Sequence, residues 1–235
     1  MENKLNTNAV KILRSERDFV LLCKAPGQEC EHEIPELLAQ ALGGKAETYY
    51  CVPRLDRAVG GVMVYARTAK MAAALSAQIQ AHGLQKEYFA VVQGCPAQEQ
   101  GILQDYLYHD KRKGKAFPVK SLRKGVKAAE LEYKCLASAL VQGSTVSLVW
   151  VRLHTGRFHQ IRAQFAARKM PLLGDGRYGS REKGCGIALF SSKIGFCSPA
   201  GGQRITANQM PPEQFPWNLF ERELYNVSNT EKEEG

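Results

Sequence analysis

The chain has 235 residues, 44% of them hydrophobic and 23% charged, with 32 Lys and Arg against 23 Asp and Glu and a net charge of +9. This is an ordinary globular balance, and the length suffices to bury most of the surface that the unfolded form would expose. No run of 18 apolar residues occurs, which excludes a bilayer-spanning helix, and the basic surplus favours a polyanionic partner, nucleic acid before membrane.

The first stretch, "MENKLNTNAVKILRSERDF", has no apolar core of signal-peptide length, so the protein reads as cytoplasmic. "FVLLCK", 19–24, reads as a buried strand with a turn at Ala25-Pro26-Gly27. "EIPELLAQALGG", 33–44, sets Ile34, Leu37, Leu38 and Leu42 on one helical face, with Gly43 and Gly44 as a stop. "PRLDRAVGG", 53–61, follows, and "GGVMVYART" reads as a strand. Thr68 then caps a helix carrying Met71, Leu75 and Ile79 that ends near Gly83. "KEYFAVVQG", 86–94, reads as a strand. "HDKRKGKAFPVK", 109–120, reads equally well as a mobile solvated loop or as a loop touching RNA through Lys111, Arg112 and Lys113.

"AAELEYKCL", 128–136, alternates as strands do, and "TVSLVWVRL", 145–153, is a long strand. "TGRFHQIRAQFAARK" reads as a helix starting near Thr155, with Phe158, Ile161 and Phe165 on its apolar face. The end, 227–235, reads as disordered. The seven cysteines are odd in number, irregularly spaced and without a CxxC, which argues against a disulfide framework or a zinc site. The interspersed elements read as one mixed α/β unit on an extended sheet, spanning 1–226.

Three stretches carry residues suited to chemistry. Asp56 lies between Arg54 and Arg57, as either a turn residue or a presented carboxylate. Arg157, His159 and Arg162 cluster where a strand meets a helix, where exposed N–H groups can attract anions. Read alone, this segment fits an amphipathic helix with wet arginines, and His159 fits a structural histidine better than a general base. Asp175, in "PLLGDGRYGS", reads as turn chemistry, and Tyr88 as a core aromatic of its strand.

Their order along the chain is more informative than any one of them. "RLD" with a glycine pair, then "KEYFAVVQG", "LHTGRFHQIR" and "PLLGDGRYG", resembles the RluA family of RNA pseudouridine synthases. "LLCKAPG" is similar to that family's opening strand motif, and the segment from "ALFSSKIGFCSPAGG" to "PPEQFPW" to its C-terminal pattern, so the resemblance spans roughly residues 11–220. Pro53, Gly60 and Leu189–Ser191 depart from the family's usual His, Ser and Leu-His-Ala.

The resemblance implies an α+β fold: an extended, mixed, mainly antiparallel sheet flanked by helices, with the active-site cleft across the sheet and no appended S4-like module. It implies isomerisation of uridine to pseudouridine in structured RNA, rRNA or tRNA. The N1–C1′ bond breaks, the uracil turns, and C5 bonds to C1′. Nothing is oxidised or lost, so no cofactor and no metal is needed. Asp56 becomes the catalytic carboxylate, as nucleophile or base, with Arg162 as the guanidinium that keeps it ionised. Tyr88 becomes the active-site tyrosine and Ile161 a pocket residue. The target uridine must be flipped out. Arg54 then fills the vacated space, and Arg57, Arg157, His159 and the 111–113 basic run contact RNA. The implied enzyme is a monomer without membrane association. The competing reading is a catalytically weak or inactive member that only holds or remodels RNA. A glycoside hydrolase would need a second catalytic acid, which Asp175 in its turn supplies poorly.

Overall fold

The structure, a computed structural model, describes residues 10–199 and 201–233. In chain order the elements are β1 (Lys11–Ser15), β2 (Phe19–Lys24), α1 (Glu33–Leu42), β3 (Tyr50–Cys51), β4 (Gly60–Ala66), α2 (Ala69–Gln80), β5 (Gln85–Gln93), β6 (Gln100–Asp110), β7 (Lys115–Val119), β8 (Val126–Val141), β9 (Ser144–Leu153), α3 (Gln160–Ala167), β10 (Leu189–Cys197), β11 (Arg204–Asn208) and α4 (Glu221–Glu233). The structure divides into two compact units. Of the described residues, 85–192 and 210–233 form the second unit and the others the first, so β10 contributes its last residues to the first and its first residues to the second.

In the first unit β2 lies antiparallel between β1 and β4, with Phe19 opposite Ala66 and Lys24 opposite Gly61. β3 also pairs with β4, and β11 with β10. Both faces of β2 and β4 are covered. Leu21, Val62 and Val64 pack with Met71 and Leu75 of α2; Val20, Leu22, Met63 and Tyr65 pack with Ile34 and Leu38 of α1. Burial on both faces is why "FVLL" and "VMVY" are continuous apolar runs rather than alternating ones. α2 is capped as its sequence indicates, with Thr68 Oγ1 accepting from the Met71 N–H at 3.1 Å.

In the second unit the hydrogen-bonded order is β10-β5-β9-β8-β6-β7. β5–β9, β9–β8, β8–β6 and β6–β7 are all antiparallel. α3 lies on one face of the β6–β7–β8 region, where Ala163 meets Leu107, Ala116, Ala129 and Tyr178. The extended, mainly antiparallel strand arrangement flanked by helices is thus present in each unit.

Three expectations change. Residues 109–120 are not a loop but a hairpin, β6–β7, with a turn only at 111–114. α3 begins at Gln160 rather than near Thr155, because His159 takes a left-handed φ of 51° that no helix can contain. The tail read as disordered from 227 is helical through Glu233, as an extension of α4; residues 234 and 235 lie outside the described residues. No helix among the described residues is long and apolar enough to cross a membrane.

Candidate functional site

Asp56, Arg54 and Arg57 belong to the first unit. Asp56 is half-buried at the start of a tight turn, its carbonyl accepting from the Val59 N–H at 2.9 Å. The loop that carries it is pinned from below. Lys24 ends β2 with its side chain buried, and its ammonium donates to the carbonyls of Ala25, Gln28 and Arg57, each at 3.0 Å. Burial pushes this ammonium below the ordinary lysine range, while charges nearby, Asp56 among them, pull it back up. Cys30 Sγ donates to the Leu55 carbonyl at 3.3 Å. A hydrogen bond with the Cys51 thiol pulls Cys30 down to about 7, and Cys51 moves up in response. The glycine pair has two separate reasons. Gly61 sits at φ 123°, where a side chain is strained. A Cβ on Gly60 would come within 3.1 Å of the Lys24 carbonyl and 3.0 Å of Pro26, so this loop closes tightly over the Lys24 turn.

The two flanking arginines differ. Arg57 Nε donates to the Gly27 carbonyl at 2.7 Å, and Gly27 N–H donates back to the Arg57 carbonyl at 2.7 Å, so its side chain braces the loop. Arg54 reaches outward to Glu31 at 2.8 Å in an exposed pair. Pairs of this kind contribute little, so the guanidinium can exchange Glu31 for another anion at small cost. Lys24→Met is expected to lower stability by roughly 1–3 kcal/mol, because three carbonyls lose a charged donor and a neutral side chain of similar length cannot replace it. Thermal unfolding of the variant checks this; an unchanged midpoint would mean that the loop holds without the lysine.

The remaining candidates lie in the second unit. Arg162 is buried on α3, and its fork meets Asp175: Nε to Oδ2 at 2.7 Å and Nη2 to Oδ1 at 2.9 Å. These are the lengths of a charge-assisted bidentate pair. Its Nη1 lies 2.9 Å from His159 Nε2, and its guanidinium carbon sits 5.1 Å from the Tyr178 ring centre. The His159 Nδ1 lies 3.2 Å from the Tyr178 hydroxyl, which also accepts from the Ala116 N–H at 2.8 Å. A guanidinium cannot accept a proton, so Nε2 of His159 accepts and Nδ1 carries the hydrogen towards Tyr178. Asp175, Arg162, His159, Tyr178 and β7 therefore form one polar chain. The His159 ring continues into a stack through Phe158 to His109, with centroids 3.9 and 3.8 Å apart.

Gln160 fixes the approach to α3. Its Oε1 accepts from Thr155 Oγ1 at 2.8 Å and from the Arg157 N–H at 3.0 Å, and its Nε2 donates to the Glu130 carbonyl at 3.0 Å. Arg157 Nε donates to the Ala128 carbonyl at 2.8 Å. Ile161 is buried on α3, and Tyr88 is buried on β5 opposite Val151. Lys111, Arg112 and Lys113 are exposed on the hairpin turn. Among the described residues no group of three or more His, Cys, Asp or Glu side chains comes together that could hold a metal ion.

Two buried carboxylates of this unit have partners that escape a reading of the sequence. Asp175 does serve its turn, accepting the Tyr178 N–H at 3.0 Å, yet its side chain is the counterion of Arg162. Glu87, next to Tyr88, is buried and takes the Arg152 guanidinium at 3.0 Å and the Trp150 indole at 3.1 Å. The only available signal for either is a carboxylate inside an apolar or glycine-rich stretch.

The profile described as RNA pseudouridylate synthase matches residues 18–167, which include Asp56, Tyr88 and Arg162. The tRNA pseudouridine synthase C of Haemophilus ducreyi is 31% identical over 194 residues, covering 72% of this chain and 77% of that protein. The tRNA pseudouridine synthase C of Yersinia pestis is 29% identical, covering 72% and 70%. A ribosomal large subunit pseudouridine synthase D from Zymomonas mobilis is 28% identical, and this chain spans 52% of its length. Among solved structures, human RNA Pseudouridylate Synthase Domain Containing 1 superposes with a TM-score of 0.77 at 20% identity, covering 92% of this chain and 88% of that one, which is a likeness of fold.

Proposed function

This chain belongs to the family of RNA pseudouridylate synthases, and from that membership we propose that it isomerises a uridine to pseudouridine in a tRNA or an rRNA. The observation that carries the proposal is the family match over 18–167, which takes in the Asp56 loop, Tyr88 and Arg162 together. No observation favours a member that holds RNA without isomerising it.

In this reading Asp56 is the catalytic carboxylate, acting at the sugar as nucleophile or base, and Arg162, held by Asp175, is the cation that family membership assigns to the reaction. Tyr88 offers its ring to the uracil and its hydroxyl to the proton that leaves C5, and Ile161 lines the pocket. Arg54, Arg57, Arg157, His159, Lys111, Arg112 and Lys113 are the proposed RNA contacts. Arg54 is best suited to take the place of a flipped base, because its present partner Glu31 is exposed and easily exchanged. The chemistry needs no cofactor or metal, since it breaks and remakes bonds between the same base and sugar. We place the enzyme in the cytoplasm as a monomer.

The test is to map pseudouridine in tRNA and rRNA from cells with and without this gene. One site is expected to vanish and to return with the wild-type gene. An unchanged map, together with no turnover by the purified chain on either RNA class, would overturn the proposal.

A further inference from the structure

The β6–β7 hairpin has one face under α3 and one in solvent. The alternation of β6 sends Leu103, Leu107 and the His109 position to the α3 side, and Ile102, Gln104, Tyr106 and Tyr108 to the other. Tyr106 and Tyr108 are each 39% exposed. On β7 the residues opposite them are Val119 and Phe117, which share that face. Lys113 and Lys115 hold their ammonium groups 5.7 and 5.3 Å from the Phe117 ring centre. The β8 residue opposite Tyr106 is the small, exposed Ala128, whose side chain gives the ring little cover. Two exposed tyrosines and the half-buried Phe117 thus share one face of the hairpin, with cations beside Phe117.

The charge around this face selects its occupant. Between 110 and 127 the only acid is Asp110, against Lys111, Arg112, Lys113, Lys115, Lys120, Arg123, Lys124 and Lys127. The far end of the same face is acidic, with Glu130 and Glu132 opposite Gln104 and Ile102. A polyanion is therefore drawn to the tip, where the rings are, and turned away from the far end. The ring spacing adds a second constraint. Residues two apart on a strand lie about 6.8 Å apart, twice the ~3.4 Å rise between stacked bases. Tyr106 and Tyr108 are spaced to admit one planar base.

We propose that the solvent face of this hairpin, built on Tyr106, Tyr108 and Phe117, is a stacking platform for unpaired nucleotides of the substrate RNA. The inference rests on the reading of the chain as an RNA-modifying enzyme and adds to it. The hairpin turn supplies phosphate contacts, and the rings supply a preference for single-stranded over duplex RNA without reading sequence. Every base has a π-face, so stacking tolerates sequence, whereas a duplex offers no exposed face except at its ends. The platform therefore favours a loop, a bulge or an end of structured RNA.

The experiment uses the full chain and two probes: a single-stranded oligoribonucleotide carrying 2-aminopurine, and a hairpin-free RNA duplex of equal length. On the wild type the 2-aminopurine fluorescence is expected to be quenched on binding, which requires no variant to fold. In Tyr106→Leu/Tyr108→Leu, affinity for the single strand is expected to fall roughly 5- to 150-fold per ring, duplex affinity to stay, and the salt slope to stay. Tyr106→Phe/Tyr108→Phe restores the single-strand affinity, because the rings remain. Lys111→Ala/Lys113→Ala does the opposite, lowering both affinities and flattening the slope. Equal losses on single strand and duplex, no quenching, or unchanged affinity of the leucine variant overturns the platform; so does a loss seen only for an acidic peptide, which would make the face a protein-binding surface. Binding is read without turnover, so failure of the isomerase reading would show as absent product with the stacking results intact.

Discussion

Asp56→Asn is expected to abolish pseudouridine formation, a loss of roughly 10²- to 10⁴-fold or more, while RNA affinity and folding stay near wild type. Asparagine keeps the shape of the side chain but is neither a nucleophile nor a base at neutral pH. Groups other than the carboxylate hold the backbone of the loop. Its backbone is held at Leu55 by Cys30, at Arg57 by Lys24, and between Asp56 and Val59 by the turn hydrogen bond. Single-turnover formation of pseudouridine on an RNA transcript measures the chemistry, and filter binding with a thermal melt measures the rest. Retained turnover would move the catalytic role to another group. Loss of folding together with activity would make Asp56 a structural turn residue.

Asp175→Ala is expected to lower stability by about 3–5 kcal/mol, because it strips the carboxylate from a buried guanidinium. The side chains of Arg162 and Asp175 are 5% and 1% exposed, so water cannot take the place of the lost oxygens. For a chain of this size the melting midpoint should drop by roughly 6–20 °C. Asp175→Asn keeps one acceptor but not the charge, and should lie between the two. The double variant Arg162→Met/Asp175→Leu removes both charges and should recover most of the stability, since a buried ion pair and a well-packed apolar pair are often close in energy. It should nonetheless be inactive, because the proposed cation of the reaction is gone. A denaturant series on the wild type, Arg162→Met, Asp175→Leu and the double variant measures the coupling. Additive losses would show that Arg162 and Asp175 act independently despite their geometry.

What was legible in the sequence was what depends on neighbours in sequence. β2 and β5 show as apolar runs bounded by Lys-Ala-Pro-Gly and by Gly94, and the Thr68 cap and the Gly43 stop are local signals that hold. The family motifs single out Asp56, Tyr88 and Arg162 as candidates because they carry order along the chain. The hairpin at β6–β7 was hidden by its own usefulness: the lysines, Gly114 and Pro118 that suit a solvated tip dilute the alternation of Tyr106, Leu107 and Tyr108. The start of α3 was hidden because the deciding event is a left-handed backbone at His159, a residue with no intrinsic need for it. Asp175 read as a turn residue because its partner is thirteen positions upstream and only the fold shows the fork closing. A carboxylate in a glycine turn looks the same whether its oxygens face water or an arginine.

The side chain of Gln160 binds at once to Thr155, Arg157 and Glu130, so the segment that presents Arg157 and His159 is set before any ligand arrives. A segment already ordered has little conformational freedom left to surrender on association. The deformation needed for catalysis is then not shared equally. This segment keeps its shape, so in the proposed reaction the bending and unstacking that expose the uridine fall to the nucleic acid. Selectivity among RNAs accordingly becomes a matter of which strand distorts most easily, and a poorly structured or already strained stem outcompetes a perfect one bearing the same local sequence.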